Sequence, residues 1–217
     1  MSMLIIRSLC CSINLQGGMN MEQAFLMAVF AFSMSASPGP VNVIALSSGL
    51  NYGIAGSLRF VGGAAIGFTL LLLLIGLGLQ AFADESGLLF DILTIFGVSL
   101  ILYFGYKLIT SDGDFSSSQT SPPSFWQGFI LQWLNPKAWG ACIASVSLFN
   151  LEQSRADLYY FVSQYLILCF IGVGLWAVGG NQVNRWLDTQ AKRRWFNAAL
   201  GVVLIGLAAL LLYQNFG

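Results

Sequence analysis

The chain has 217 residues, with nine lysines and arginines, nine aspartates and glutamates, and no histidine. Hydrophobic residues make up 57% of it and charged residues only 8%, whereas a typical soluble domain has about 25% charged residues. This composition excludes an ordinary soluble protein and makes the lipid bilayer an expected partner. Because the formal net charge is zero, no global field attracts nucleic acid.

The first twenty residues form a short leader, residues 1–20, that is only weakly apolar and has one basic residue, Arg7. This composition is typical of a poor signal peptide rather than of a membrane span. Met19 and Met21 stand immediately before the first convincing apolar segment. A start codon assigned too early is therefore the favoured explanation of the leader.

Six apolar segments follow, and each is close to or above the roughly 20 residues that a spanning helix needs. Four of them are uncharged, and two carry one charge each, Asp91 near an end and Lys137 near the middle. The segments are residues 23–50, 61–83, 88–106, 125–149, 158–180 and 195–213. The sequence predicts an all-α integral membrane protein with six transmembrane helices.

A polar stretch, TSDGDFSSSQTSPPS at residues 110–124, divides the chain into two halves, residues 21–109 and 125–217. Its composition is typical of a flexible loop. SPGPVN in the first span is matched by LNPKAW in the fourth, and IFGVSLILYFGYKL in the third has a looser counterpart in the sixth, WFNAALGVVLIGLAAL. Repeats of three spans must insert in opposite orientations, so we predict two inverted repeats, an arrangement found in many secondary transporters.

Basic residues in the short connections predict the orientation, because they are enriched on the cytoplasmic side. The connections after spans 1, 3 and 5 contain six of them, and the opposite side contains two, Arg7 and Arg155. The six are Arg59, Lys107, Arg185, Lys192, Arg193 and Arg194. This count places the 110–124 linker in the cytoplasm and both termini in the periplasm.

The stretch SASPGPVNVIAL puts Pro38, Gly39 and Pro40 in the middle of the first span. As one helix, the 28 residues 23–50 would measure about 42 Å, well beyond a hydrocarbon core of roughly 30 Å. Prolines remove backbone donors, and glycine lets the chain change direction. We therefore predict that span 1 is broken and that a new helix begins at Pro40, with Ser37 or Gly39 as its cap.

The fourth span repeats this pattern, with Asn135 as the cap, Pro136 as the first helical residue and Lys137 next. Helix N-termini attract anions, and a lysine at this depth, which costs about 2.5–3.5 kcal/mol to insert, should face a cavity or a partner. The two breaks are therefore predicted to bind a carboxylate. Freed carbonyls would accept from an ammonium group, which favours a small zwitterion as ligand. The polar side chains near these carbonyls are Ser35, Asn42 and Gln132.

The motifs SPGPVN, LYFGYKL and FWQGFILQWLNPKAW, with glycines at Gly53, Gly56, Gly63 and Gly67, resemble the lysine exporter (LysE) and homoserine/threonine resistance (Rht) family of bacterial amino-acid exporters. The resemblance covers residues 21–217. It implies a six-span inner-membrane transporter, not an enzyme, that exports amino acids such as small neutral zwitterions, driven by the proton-motive force. The positions it implies for substrate binding are Pro38, Gly39, Pro40, Asn42, Asn135, Pro136 and Lys137.

Three other functions were weighed. A membrane thiol-disulfide carrier could use Cys142 and Cys169, although no CxxC motif supports it. A metal-ion exporter of related architecture would need buried carboxylates, and an enzyme acting on lipid would need a nucleophile or an acid-base pair; neither is evident. No cofactor and no resident metal is expected. The GxxxG pair Gly63 and Gly67 permits a homodimer without requiring one.

Overall fold

The computed structural model describes residues 20–79, 87–111 and 121–216, and all regular structure within these ranges is helical. The leader (residues 1–19) and most of the linker (residues 112–120) lie outside the described residues. The helices are α1 Met21–Ala36, α2 Pro40–Leu74, α3 Gly87–Ile109, α4 Phe125–Trp133, α5 Pro136–Leu148, α6 Arg155–Asn184 and α7 Gln190–Phe216. A π-helical segment, Ile75–Leu79, continues α2.

Three helical segments in the described part of the chain are long and apolar enough to cross a membrane: Pro40–Gly78, Arg155–Asn184 and Gln190–Tyr213. Two shorter apolar helices, Met21–Ala36 and Thr94–Ile109, accompany them. The all-α membrane class is thus confirmed. The arrangement of six spans in two inverted repeats stays a prediction, because the breaks divide the first and fourth spans into shorter helices.

The connection between the first two predicted spans is a single glycine. The expectation of a loop around Arg59 was wrong, since residues 54–60 are helical. The chain instead bends inside α2 at Gly53, whose φ of 72° and ψ of 179° interrupt the helix. This positive φ is a conformation that glycine adopts without steric cost. One element, α2, therefore contains the end of the first predicted span and nearly all of the second.

Helix α6 packs closely against both α1 and α2. Its contact with α2 depends on glycine on each side. A Cβ at Gly49 would collide with the carbonyl oxygen of Ala177, and a Cβ at Gly180 would collide with that of Leu46. Backbone therefore lies directly against backbone, the kind of close approach that small residues allow between membrane helices.

The GxxxG pair packs within the chain, where α2 meets α4. A Cβ at Gly63 would collide with the carbonyl oxygen of Phe125, and one at Gly67 would lie 2.7 Å from that of Phe129. These intramolecular contacts use the helix face that a GxxxG-mediated dimer would need. The motif is explained by close packing, as expected for such glycines, and it gives no support to a homodimer.

Replacing Gly180 by alanine should destabilise the fold, because the added methyl group meets the rigid backbone of α2. Overpacking of this kind costs about 1–3 kcal/mol. The matched control is Gly62→Ala, because no atom lies within 4 Å of a Cβ at Gly62. Thermal unfolding of both purified variants in one detergent measures the difference. Equal midpoints for the two variants would contradict the packing described for α2 and α6.

Candidate functional site

A small cavity lies between the two helix breaks, and residues of α2 and α6 contribute to its wall. Its water-accessible volume is about 30 Å³, room for on the order of two water molecules. Four of the seven predicted binding residues line it: Gly39, Asn42, Asn135 and Lys137. Residues about a hundred positions apart in the sequence therefore line one cavity.

The first break lies where the prolines predicted it. Helix α1 ends with Ser37 as its C-cap, and α2 begins at Pro40 with Gly39 as its N-cap. Ser37 therefore ends the first helix rather than capping the second. Pro38 contributes its carbonyl to the break, and Pro40 starts a helix without removing a needed donor.

Side chains satisfy the carbonyls that the first break frees. The Asn42 side-chain nitrogen donates to the carbonyl oxygens of Ser35, at 2.9 Å, and of Ser37, at 2.6 Å. The indole N–H of Trp176, from α6, donates to the carbonyl oxygen of Ala36 at 3.0 Å. These bonds replace the water that an apolar bilayer core cannot supply.

Lys137 joins the second break to the first. Its Nζ donates to the carbonyl oxygen of Ser37 at 3.0 Å, to the Ser37 Oγ at 2.8 Å and to the carbonyl oxygen of Pro38 at 3.0 Å. All three N–H donors of the ammonium group are thus used. The positive charge lies at the C-terminal end of α1, where the helix dipole is negative.

Lys137 was predicted to face a cavity or a partner, and it does both: it lines the cavity and donates to the first break. The sequence had assigned the freed carbonyls to the ammonium group of a ligand. In the structure these oxygens accept from the chain's own Lys137 and Asn42 instead. Sequence alone could not give this result, since it depends on which side of α5 faces α1.

The second break has the predicted cap, and one of its carbonyl groups accepts a hydrogen bond from a nearby tryptophan. The Asn135 side-chain oxygen accepts from the backbone N–H of Lys137 at 3.2 Å, and Pro136 is the first residue of α5. The indole N–H of Trp139 donates to the carbonyl oxygen of Trp133 at 2.7 Å. The first turn of α5 is therefore partly satisfied within the same helix pair.

Of the two helix N-termini at the breaks, that of α2 is the less capped. No side chain caps its first turn, and Val41 and Asn42 of that turn line the cavity. The Lys137 Nζ lies 3.1 Å from where a Cβ on Gly39 would be, so an ammonium group stands beside the helix end. Free amides, the helix dipole and a formal charge together favour a carboxylate.

Sequence reasoning missed the part of the site that comes from the following helices. Phe68 of α2 and Tyr165, Cys169 and Val173 of α6 line the cavity as well. All four lie in apolar runs without a break or a charge, and the sequence marked only Cys169, as a redox thiol for an alternative function. The one available signal was the hydroxyl of Tyr165, because a tyrosine buried in a membrane helix needs a hydrogen-bond partner.

The chain matches the family model for the LysE type translocator over residues 32–215. It is also similar to curated proteins named cysteine/O-acetylserine efflux protein. The one from Escherichia coli O157:H7 is 30% identical and the one from strain K12 is 28% identical, each over 200 residues that cover 89% of this chain and 100% of the relative. No solved structure matches. The family resemblance seen in the motifs is confirmed.

Replacing Trp176 by phenylalanine should lower the free energy of unfolding, because the carbonyl oxygen of Ala36 loses its donor while the aromatic volume is nearly kept. The expected loss is about 1–3 kcal/mol. Trp186→Phe is the matched control, since Trp186 is 80% exposed. Chemical unfolding in detergent compares the two variants. A Trp176→Phe variant as stable as the control would show that the indole bond does not support the break.

Proposed function

Because the chain belongs to the LysE type translocator family, we propose that it is a secondary transporter that exports amino acids across the bacterial inner membrane. The observation that carries the proposal is the cavity between two helix breaks, with Lys137 beside the uncapped end of α2. Cysteine and O-acetylserine are the first substrates to test, because the similar curated proteins are named for their efflux.

The polar groups on the cavity wall suit the two charges of an amino acid. The substrate carboxylate would lie at the N-terminus of α2, near the Lys137 ammonium. The substrate ammonium would donate to side-chain oxygens of Asn42 and Gln132, which both line the cavity. Pro40 and Pro136 would act indirectly by fixing where α2 and α5 begin.

Binding in this pose competes with the contacts that hold the breaks together. Lys137 already uses its three donors on Ser37 and Pro38, so a substrate carboxylate must draw the ammonium away from at least one of them. The cavity, with about 30 Å³ of water-accessible volume, must also enlarge to hold an amino acid. Both changes separate the first break from the second, which is the movement that alternating access between two repeats requires.

We propose six spans in the inverted-repeat arrangement. The first span would consist of α1 and the part of α2 before Gly53, and the second would continue from Gly53 into the π-helical segment. Helices α4 and α5 together would form the fourth span. The count of basic residues then puts the bend at Gly53 in the cytoplasm and both termini in the periplasm.

The proton-motive force is the energy source that the family implies. No aspartate, glutamate or histidine is among the described residues that line the cavity. Lys137 is therefore the candidate proton carrier at the site. Release of its proton would weaken its bonds to the first break and would remove the charge that attracts the substrate carboxylate.

The metal-ion exporter and the thiol-disulfide carrier, the two alternative functions, lack support in the described residues. No group of three histidine, cysteine, aspartate or glutamate side chains there is placed to hold a metal ion, so nothing favours a metal-ion exporter. Cys142 and Cys169 are free thiols, and both are buried. A thiol-disulfide carrier needs accessible cysteines, and neither of these thiols is exposed at the surface.

Lys137→Gln should reduce export of the transported amino acid by about 10- to 100-fold, the cost of losing a charge-assisted hydrogen bond. Glutamine keeps an N–H donor for the carbonyls of the first break, so the fold should persist. Efflux of labelled cysteine and O-acetylserine from proteoliposomes, with and without a pH gradient, measures the effect. Lys192→Gln is the control, because Lys192 lies on the surface, paired with Asp188. Wild-type efflux by the Lys137 variant would contradict its role at the site.

The predicted orientation can be tested by labelling engineered cysteines in intact cells. Glu152 precedes α6 and Asp188 follows it, and both are exposed. In a background with Cys10 and Cys11 replaced by serine, a membrane-impermeant maleimide should label Glu152→Cys and should not label Asp188→Cys until the cells are opened. Cys142 and Cys169 are buried and give little background. The reverse pattern would invert the proposed topology.

A further inference from the structure

Two hydroxyl groups on the cavity wall have no hydrogen-bond partner. Tyr165 is 0% exposed and Ser35 is 7% exposed, and both line the cavity. In the described part of the chain, neither the Tyr165 hydroxyl nor the Ser35 Oγ makes a hydrogen bond. Because buried polar side chains are nearly always hydrogen-bonded, the pair indicates a group that enters the cavity and bonds there.

Both hydroxyls are held in place by α6. The Tyr165 ring stacks on Phe68, with 4.4 Å between centroids and 23° between planes, and meets Phe161 edge-on at 5.3 Å. Ser35 lies against Gly172, where an added Cβ would come within 2.8 Å of the Ser35 Cβ. Ser35 also lies beside both Tyr165 and Cys169, close enough for these polar side chains to influence one another, although neither hydroxyl makes a well-formed hydrogen bond among the described residues. The two hydroxyls can therefore reach one and the same ligand group.

The chemistry of this wall restricts what it can bind. A hydroxyl both donates and accepts a hydrogen bond but carries no charge, and the adjoining side chains are those of Cys169, Phe68 and Val173. A charged group here would lose its hydration without an ionic partner, and a purely apolar group would leave both hydroxyls unpaired.

We propose that Tyr165 and Ser35 form a subsite that selects amino acids with a short, uncharged, hydrogen-bonding side chain, that is, one bearing a hydroxyl or a thiol. The inference rests on the proposed export function and names the residues that decide which amino acids are exported. The α-carboxylate and α-ammonium groups are held at the breaks, near Lys137, and the side chain points to the two hydroxyls.

The test compares serine with 2-aminobutyrate, which has a methyl group in place of the hydroxyl. The wild-type protein in proteoliposomes should export serine about tenfold faster or more at equal loading, since a site built to hydrogen-bond a hydroxyl rejects the analogue without one. Tyr165→Phe, which removes only the oxygen, should lower this ratio by about five- to tenfold. Ser35→Ala should lower it as well. Tyr159→Phe is the matched control, because Tyr159 is on the same helix and is exposed.

The outcomes are distinct. A lower serine preference in Tyr165→Phe or Ser35→Ala, with a wild-type ratio in Tyr159→Phe, supports the subsite. Equal loss of both substrates in the two variants, or no preference in the wild-type protein, overturns it while the export function stands. If the wild-type protein exports no amino acid at all, the export function fails, and the subsite fails with it.

Discussion

The breaks in two membrane helices create carbonyl groups that must find donors where there is no water, and the rest of the fold depends on how they are satisfied. Asn42 and Trp176 donate hydrogen bonds to carbonyls of the first break, and Trp139 donates to a carbonyl of the second. Lys137 links the two. These bonds fix the end of α1 relative to α5 and α6, and the glycines that let α6 lie against α2 bring the donors within reach.

The same polar groups stabilise the fold and would bind the ligand. Lys137 and Asn42 already donate hydrogen bonds to carbonyl oxygens of the first break. Both side chains also line the cavity where a zwitterion would bind. A ligand with a carboxylate and an ammonium group offers replacement partners for the bonds it disrupts. Opening the site in its presence therefore costs less than opening it alone, which is the differential interaction that any ligand-driven conformational change requires.

Local sequence patterns predicted the local features well. Pro40, Asn135 and Pro136 mark the starts of α2 and α5 because capping and proline geometry depend only on adjacent residues. The bend at Gly53 was missed because one glycine replaces the polar loop that usually separates spans. The bonding partners of Lys137, and the presence of Tyr165 at the cavity, depend on how distant helices face one another, and a single sequence carries no pattern for that.

The two breaks differ in how far along the chain their hydrogen-bond donors lie, and this difference has a consequence for biosynthesis. Trp139 donates to a carbonyl of the second break from within the same pair of helices. The first break has a nearby donor, Asn42, but it also takes donors from Lys137 and Trp176, which are synthesised 100 and 140 residues after their acceptors. While the chain is being made, the carbonyls of Ala36 and Pro38 therefore lack these donors until α5 and α6 have been added. An unpaired carbonyl is costly in an apolar bilayer, so the break between α1 and α2 has all of these bonds only once α6 has been made.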